Sequence, residues 1–104
     1  MALEDNLFRA LAVPTRRGIF EVLAETETTV KGLTERFEVS QPAISQHLAT
    51  LKKVGLTEQR SEGRNTFYRA RMEGLAPLEG WLTHYRFFWN TKLQKLNRLL
   101  DEEK

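Results

Sequence analysis

Ser40-Gln41-Pro42-Ala43-Ile44-Ser45-Gln46-His47-Leu48-Ala49-Thr50-Leu51-Lys52-Lys53-Val54-Gly55 reads as one helix with both ends marked. Ser40 is a good N-cap, and Gly55 supplies the residue that most readily ends a helix. Between them Ile44, Leu48 and Leu51 repeat at four and three residues, an apolar stripe that predicts a helix over 41–53. On a wheel of about 100° per residue the side opposite that stripe carries Pro42, Gln46, Ala49 and Lys53, flanked by Ala43, Ser45 and Thr50. This outward ridge is short and polar. Gln can bond an adenine edge, Ser can donate or accept, and Ala or Thr methyls can meet a thymine methyl. Lys53, at the far end, reaches only phosphate. His47 lies about 60° from the stripe's centre and reads as a packed or hydrogen-bonded residue rather than a base reader. A solvated amphipathic helix has the same pattern, so the neighbouring segments decide.

Upstream, Val30, Leu33, Thr34 and Phe37 mark a helix of about two turns, joined to the first by the tight connection Glu38-Val39-Ser40. Downstream the period changes. Segments 56–61 and 66–71 are short, Phe67 and Tyr68 favour a strand, and Glu62-Gly63-Arg64-Asn65 favours a turn, which together predict a β-hairpin. Two short helices and a hairpin have the layout of a winged helix-turn-helix, with 30–53 as the helix-turn-helix and 56–71 as the wing. The second helix of such a unit enters a major groove. Charge agrees with this. Between 52 and 71 stand six basic residues (Lys52, Lys53, Arg60, Arg64, Arg69, Arg71) against Glu58 and Glu62, although the net charge of the whole chain is only +2. Such a local surplus suits phosphate. Arg60, Arg64 and Asn65 lie at or near the hairpin tip; Arg69 and Arg71 contribute to the general field.

The ends of the chain read as helices that pair two subunits. Leu3, Leu7, Phe8 and Leu11 give a first helix within 1–12. Pro14 opens a second, with Ile19, Phe20, Leu23 and Ala24 as its apolar face, and 26–29 reads as a loop. A last helix over 75–102 has 28 residues and spans roughly 42 Å. Its Leu78, Leu82, Tyr85, Trp89, Leu93, Leu96 and Leu100 advance by threes and fours, a seam made for another helix. Leu3 and Leu7 offer the first helix as a second layer. Trp81, Tyr85, Phe87, Phe88 and Trp89 read as interface core, with the lining of a small-molecule pocket as the alternative. A dimer also fits DNA, since recognition helices about 34 Å apart meet successive major grooves.

Leu11-Ala12-Val13-Pro14-Thr15-Arg16-Arg17-Gly18-Ile19-Phe20 resembles the opening signature of the ArsR family of bacterial repressors. The stretch Ser40–Leu48 followed by Leu51-Lys52-Lys53-Val54-Gly55-Leu56 is similar to that family's recognition helix, and Gly63-Arg64-Asn65-Thr66-Phe67-Tyr68 resembles its wing. The three motifs stand in the family's order, and the resemblance extends over nearly the whole chain. The resemblance implies a homodimer bound to an imperfect inverted repeat, with the Gln41, Ser45 and Gln46 positions facing bases and wing cations facing the backbone. The expected fold is thus mainly α with a small β-hairpin, a single winged helix-turn-helix domain over 1–104 that dimerises through its N- and C-terminal helices. Expected base contacts are Gln41, Pro42, Ser45, Gln46, Ala49 and Thr50. Expected backbone contacts are Arg16, Arg17, Ser40, Lys53, Arg60, Arg64 and Asn65. Two departures stand out: Val13 replaces a polar N-cap, and Glu38 replaces a turn glycine.

Chemistry of other kinds finds no footing. Without cysteine there are no disulfides, thiolate metal sites or Cys nucleophiles. One common metal site of the family uses cysteines where this chain has Thr29 and Lys31, a hydroxyl and an ammonium that serve soft metals poorly. A second bridges the terminal helices through His and carboxylates, but His84 is the only histidine there, and the only other in the chain is His47. No metal and no cofactor are expected. There is no Gly-rich phosphate loop, Ser-His-acid arrangement or His cluster for an enzyme. No run approaches a membrane span, and the start Met-Ala-Leu-Glu-Asp lacks a basic region before an apolar one, so a cytoplasmic location with no membrane partner is expected. The expected partners are double-stranded operator DNA, a second copy of the chain, and an unidentified small-molecule or protein inducer if one acts. The rival reading is a winged helix turned protein-interaction module or ligand sensor without DNA affinity.

Overall fold

The computed structural model describes residues 3–103; Met1 and Ala2, which open the expected dimerisation segment 1–12, lie outside the described residues. The order is α1 (Leu3–Ala12), α2 (Pro14–Glu25), α3 (Val30–Phe37), α4 (Gln41–Lys53), β1 (Thr57–Glu62), β2 (Asn65–Ala70), a 3-10 turn (Met72–Leu75) and α5 (Ala76–Glu102). This is a mainly helical winged helix-turn-helix.

Local chemistry explains most of the boundaries. Pro14 starts α2 without any side-chain cap from Val13, at a position where a missing N–H costs nothing. Thr29 and Ser40 cap α3 and α4, their hydroxyls accepting from the N–H groups of Gly32 at 3.1 Å and Ala43 at 3.2 Å. Glu38, in the slot of the family's turn glycine, adopts the left-handed region at φ 51°, so the turn keeps its shape at the expense of some strain. At the end of α4 the Gly55 N–H bonds the Lys52 carbonyl and the Leu56 N–H bonds the Leu51 carbonyl. These are the two bonds of a Schellman motif, with Gly55 at φ 82° and the apolar Leu51–Leu56 contact that accompanies it.

A core of Leu7, Ile19, Phe20, Leu23, Leu33, Ile44, Leu48, Leu51 and Leu56 ties α1 through α4 to the base of the hairpin. The stripe predicted on α4 therefore faces inward. The hairpin is antiparallel in the register Thr57↔Ala70 to Glu62↔Asn65. Its turn is two residues, Gly63 and Arg64, rather than the four expected over 62–65: Glu62 and Asn65 pair and belong to the strands. The first strand begins at Thr57, because Leu56 is claimed by the helix cap.

The 26–29 loop does more than connect helices. Thr28 forms an antiparallel bridge with Tyr68, N–H to carbonyl in both directions at 3.1 and 2.8 Å, and so adds a single-residue third strand to β2. The segment α5 begins after a close approach. A Cβ on Gly74 would lie 2.0 Å from the Gly55 carbonyl oxygen, so only glycine fits where the chain crosses the end of α4.

After its first turns, which pack on α1 and the core through Leu78 and Trp81, α5 leaves the body of the protein. None of its residues is buried. The radius of gyration is 18.5 Å and the extents are 64 × 32 × 22 Å, against about 13 Å for a compact chain of this length. No described helix is long and apolar enough to cross a membrane.

Candidate nucleic-acid interface

The ridge of α4 stands in solvent. Gln41, Pro42, Ser45, Gln46 and Ala49 are exposed, while Ile44, Leu48 and Leu51 are fully or almost fully buried on the other side. Because the capped N-terminus of α4 projects from the core, its first two turns present amides and a hydroxyl with little side-chain bulk around them. Thr50 departs from this set. It is half-buried, its hydroxyl donates to the Gln46 carbonyl at 3.1 Å, and it stands at the ridge's edge toward α1 and α2. His47 is half-buried too. Burial pushes its imidazole below the usual value, and the charge of Arg16 acts in the same direction.

The cations expected at the backbone divide into two groups. Lys53 and Arg64 are exposed and have no acidic partner among the described residues. Arg60, by contrast, is held on the protein. Its Nε donates to Glu27 and its Nη1 to Glu62, both at 2.8 Å, and the guanidinium lies over the Phe67 ring at 4.7 Å. These carboxylate bonds, Glu27 first, raise the Arg60 pKa. Arg69 is likewise paired with Glu58 at 2.8 Å, and Arg71 with Glu73 at 3.7 Å. Three of the six cations read from the sequence, Arg60, Arg69 and Arg71, are thus paired in place, leaving the wing tip with Arg64 and its neighbour Asn65. Arg17 also has an internal task, donating from Nη1 to the Leu11 carbonyl at the end of α1 at 2.9 Å. Arg16 is half-buried, and Ser40 spends its side-chain acceptor on the α4 cap.

Sequence reasoning missed the brace under the wing. Glu27 and Thr28 fix the α2–α3 loop to both strands, through Arg60 on β1 and Tyr68 on β2. The β-branched run Thr28-Thr29-Val30 was the available sign of extended backbone.

Of the residues expected at a subunit interface, Leu3, Leu82, Tyr85, Trp89, Leu93 and Leu96 are exposed, Trp89 at 61%. Leu7 is not: at 2% exposure it belongs to the protomer's own core, because the inward face of α1 packs on α2. Leu78 also packs against that core. The exposed Phe8 of α1 meets Trp81 edge-on at 5.1 Å, and Trp81 in turn meets Tyr85 at 4.8 Å. His84 rests edge-on against Tyr85 at 5.0 Å, and Thr29, in one family metal slot, is engaged as the α3 cap. Among the described residues no three His, Cys, Asp or Glu side chains gather where a metal could sit.

A polar ridge on the second helix of a helix-turn-helix, set beside a braced hairpin, defines a DNA-binding transcriptional regulator of the winged-helix class. Comparison with known proteins narrows this. A sequence profile described as bacterial regulatory protein, arsR family, matches residues 13–58. The chain is 38% identical to the HTH-type transcriptional regulator Rv2034 of Mycobacterium tuberculosis over 95% of this chain and 90% of that protein. It is 30% identical to the transcriptional repressor SdpR of Bacillus subtilis over 78% and 90% of the two chains. A solved ArsR-like transcriptional regulator from Rhodococcus sp. RHA1 superimposes with a TM-score of 0.71 at 29% identity, over 91% of this chain and 90% of that one. The protein belongs to the ArsR family and is a transcriptional regulator, not an enzyme.

Proposed function

We propose that the protein is a homodimeric repressor that binds an inverted-repeat operator in double-stranded DNA, as one domain, without the family's metal sites and without a cofactor. The observation that carries this reading is the exposed ridge Gln41, Pro42, Ser45, Gln46 and Ala49, turned away from a core that fixes α4 rigidly. Gln and Ser in the first two turns offer the donors and acceptors that distinguish base pairs in a major groove. Lys53 and Arg64 mark the two ends of the contact with phosphate. Repression is favoured by the relative described as a transcriptional repressor, matched over 90% of its length.

The dimer rests on α1 and α5. Leu82, Tyr85, Trp89, Leu93 and Leu96 are exposed along one side of a helix that its own protomer leaves uncovered, an apolar face of a kind that soluble monomers rarely present to water. Metal independence rests on the side chains in the family's slots. Thr29 is used as a cap, Lys31 is a cation, and His84 is the only histidine on α5.

A gel shift with the DNA upstream of its own gene, at about 50 and 200 mM salt, tests the reading. The expected result is one retarded species at low salt, competed by unlabelled specific but not by random duplex. Contacts to several phosphates make binding weaken steeply between the two salt concentrations. Equal affinity for random and specific duplex would falsify sequence-specific repression.

A further inference from the structure

On the flank of α4 away from the wing, a cleft of about 750 Å³ opens between α1, the first turn of α2, the last turn of α4 and the 3-10 turn that precedes α5. Four cations line it, Arg9, Arg16, Lys53 and Arg71, against a single carboxylate, Glu73, which is already committed to Arg71. Arg9, Arg16 and Lys53 have no acidic partner among the described residues. Like charges gathered in a cleft oppose one another and concentrate counter-ions.

A second observation falls on a residue that lines the same cleft. The Nε of Arg16 is buried and has no hydrogen-bond partner, an arrangement that proteins rarely leave without a ligand or solvent to complete it. Burial first, and the nearby charge of Arg16 second, disfavour the protonated form of the His47 imidazole. The remaining walls are largely apolar, with Leu7, Ala10, Val54 and Pro77 among them, and the volume falls within the range of small-molecule sites.

We propose that this cleft is a regulatory site for a phosphorylated small molecule of about nucleotide size, whose phosphate is held by Arg16, Arg9 and Lys53 and whose body lies against the apolar wall. Guanidinium groups suit phosphate because their N–H forks match its oxygens. The regulatory half of the proposal rests on the DNA-binding reading above. Lys53 is there assigned to the duplex backbone, and Arg16 is among the backbone contacts expected from sequence, so an occupant that engages them competes with a DNA phosphate. By linkage, DNA then weakens the ligand as much as the ligand weakens DNA.

His47 gives a site-specific test by NMR. It is titrated with inorganic pyrophosphate, with ADP, and with chloride at matched ionic strength. An anion beside Arg16 relieves its repulsion, so the titration midpoint of His47 rises beyond that in the chloride control. Arg16→Gln binds pyrophosphate about tenfold more weakly, the loss expected for a charge-assisted hydrogen bond. Lys53→Gln, an exposed change that spares the fold, does the same. Neither probe moving His47 beyond the chloride control overturns the site. Operator affinity, measured by fluorescence anisotropy in the same solutions, separates the two layers. Intact operator binding that pyrophosphate and ADP do not weaken overturns the regulatory role. A His47 response in a protein that retards no DNA leaves the anion site standing and defeats the DNA reading.

Discussion

Arg60 and Arg64 lie four residues apart on one hairpin, but their surroundings separate their roles. Arg60 sits between Glu27 and Glu62 with its face on Phe67, so its charge is answered within the protein and its position fixes the wing relative to the α2–α3 loop. Arg64, in the two-residue turn, has no such partner among the described residues. The distinction can be measured. Each phosphate contact contributes about 0.9 to the slope of log affinity against log salt, so Arg64→Gln lowers the slope by about two in a symmetric dimer that uses both wings. Arg60→Gln leaves the slope nearly unchanged and instead lowers the melting temperature, because Glu27 and Glu62 lose their shared cation. Anisotropy titrations across a potassium chloride series, with thermal melts of both variants, check this. An equal fall in slope for the two substitutions would show that Arg60 leaves its carboxylates to meet DNA. Sequence alone ranked both arginines as backbone contacts, since nothing in the order of residues reveals that Glu27, on the far side of two helices, faces β1.

At the level of elements, the parts written in local chemistry were legible and the parts made by distant segments were not. The stripe Ile44, Leu48 and Leu51, the Ser40 cap and Gly55 located α4 because each acts within one or two turns of its own helix. The hairpin turn was read two residues too long, because Glu62 and Asn65 look like turn residues until the ladder claims them. The Thr28–Tyr68 bridge spans forty positions of chain and left only a β-branched hint. Leu7 was assigned to the wrong surface for a related reason: periodicity says that a helix has an apolar face but not which neighbour covers it. The clearest long-range constraint is Gly74 against the Gly55 carbonyl. It locks the exit of α4 to the entry of α5, so the recognition helix and the protruding helix share one joint. Gly74→Ala places a methyl where backbone already stands, and the shift that follows costs roughly 1–3 kcal/mol or more. Urea unfolding of the variant measures the loss, and an undiminished midpoint would mean that the joint gives way without strain. Because the same shift tilts α5 relative to α4, operator affinity falls further than the stability loss alone explains.

For the molecule as a whole, the unresolved demand of the fold is α5. A helix of 27 residues with Trp89 61% exposed and Leu93, Leu96 and Leu100 each about half exposed is not a stable end state for a lone protomer in water. In the proposed dimer a second copy, packed along the seam Leu82, Tyr85, Trp89, Leu93 and Leu96, covers these side chains and at the same time sets two α4 ridges on one face of the assembly. Burying one large apolar side chain contributes about 1.5–3 kcal/mol, and every substitution in a symmetric dimer counts twice. Trp89→Ala and Leu93→Ala therefore weaken dimerisation by roughly a hundredfold or more each, while Phe87→Ala, on the opposite side of the same helix, changes it little. Sedimentation equilibrium resolves the difference directly. If Phe87→Ala breaks the dimer and Trp89→Ala does not, α5 pairs through its other face. If none of the three has any effect, the partner of this helix is something other than a second copy. Operator binding follows the same order, because a single protomer engages one half-site with few phosphate contacts and its affinity drops steeply as salt rises.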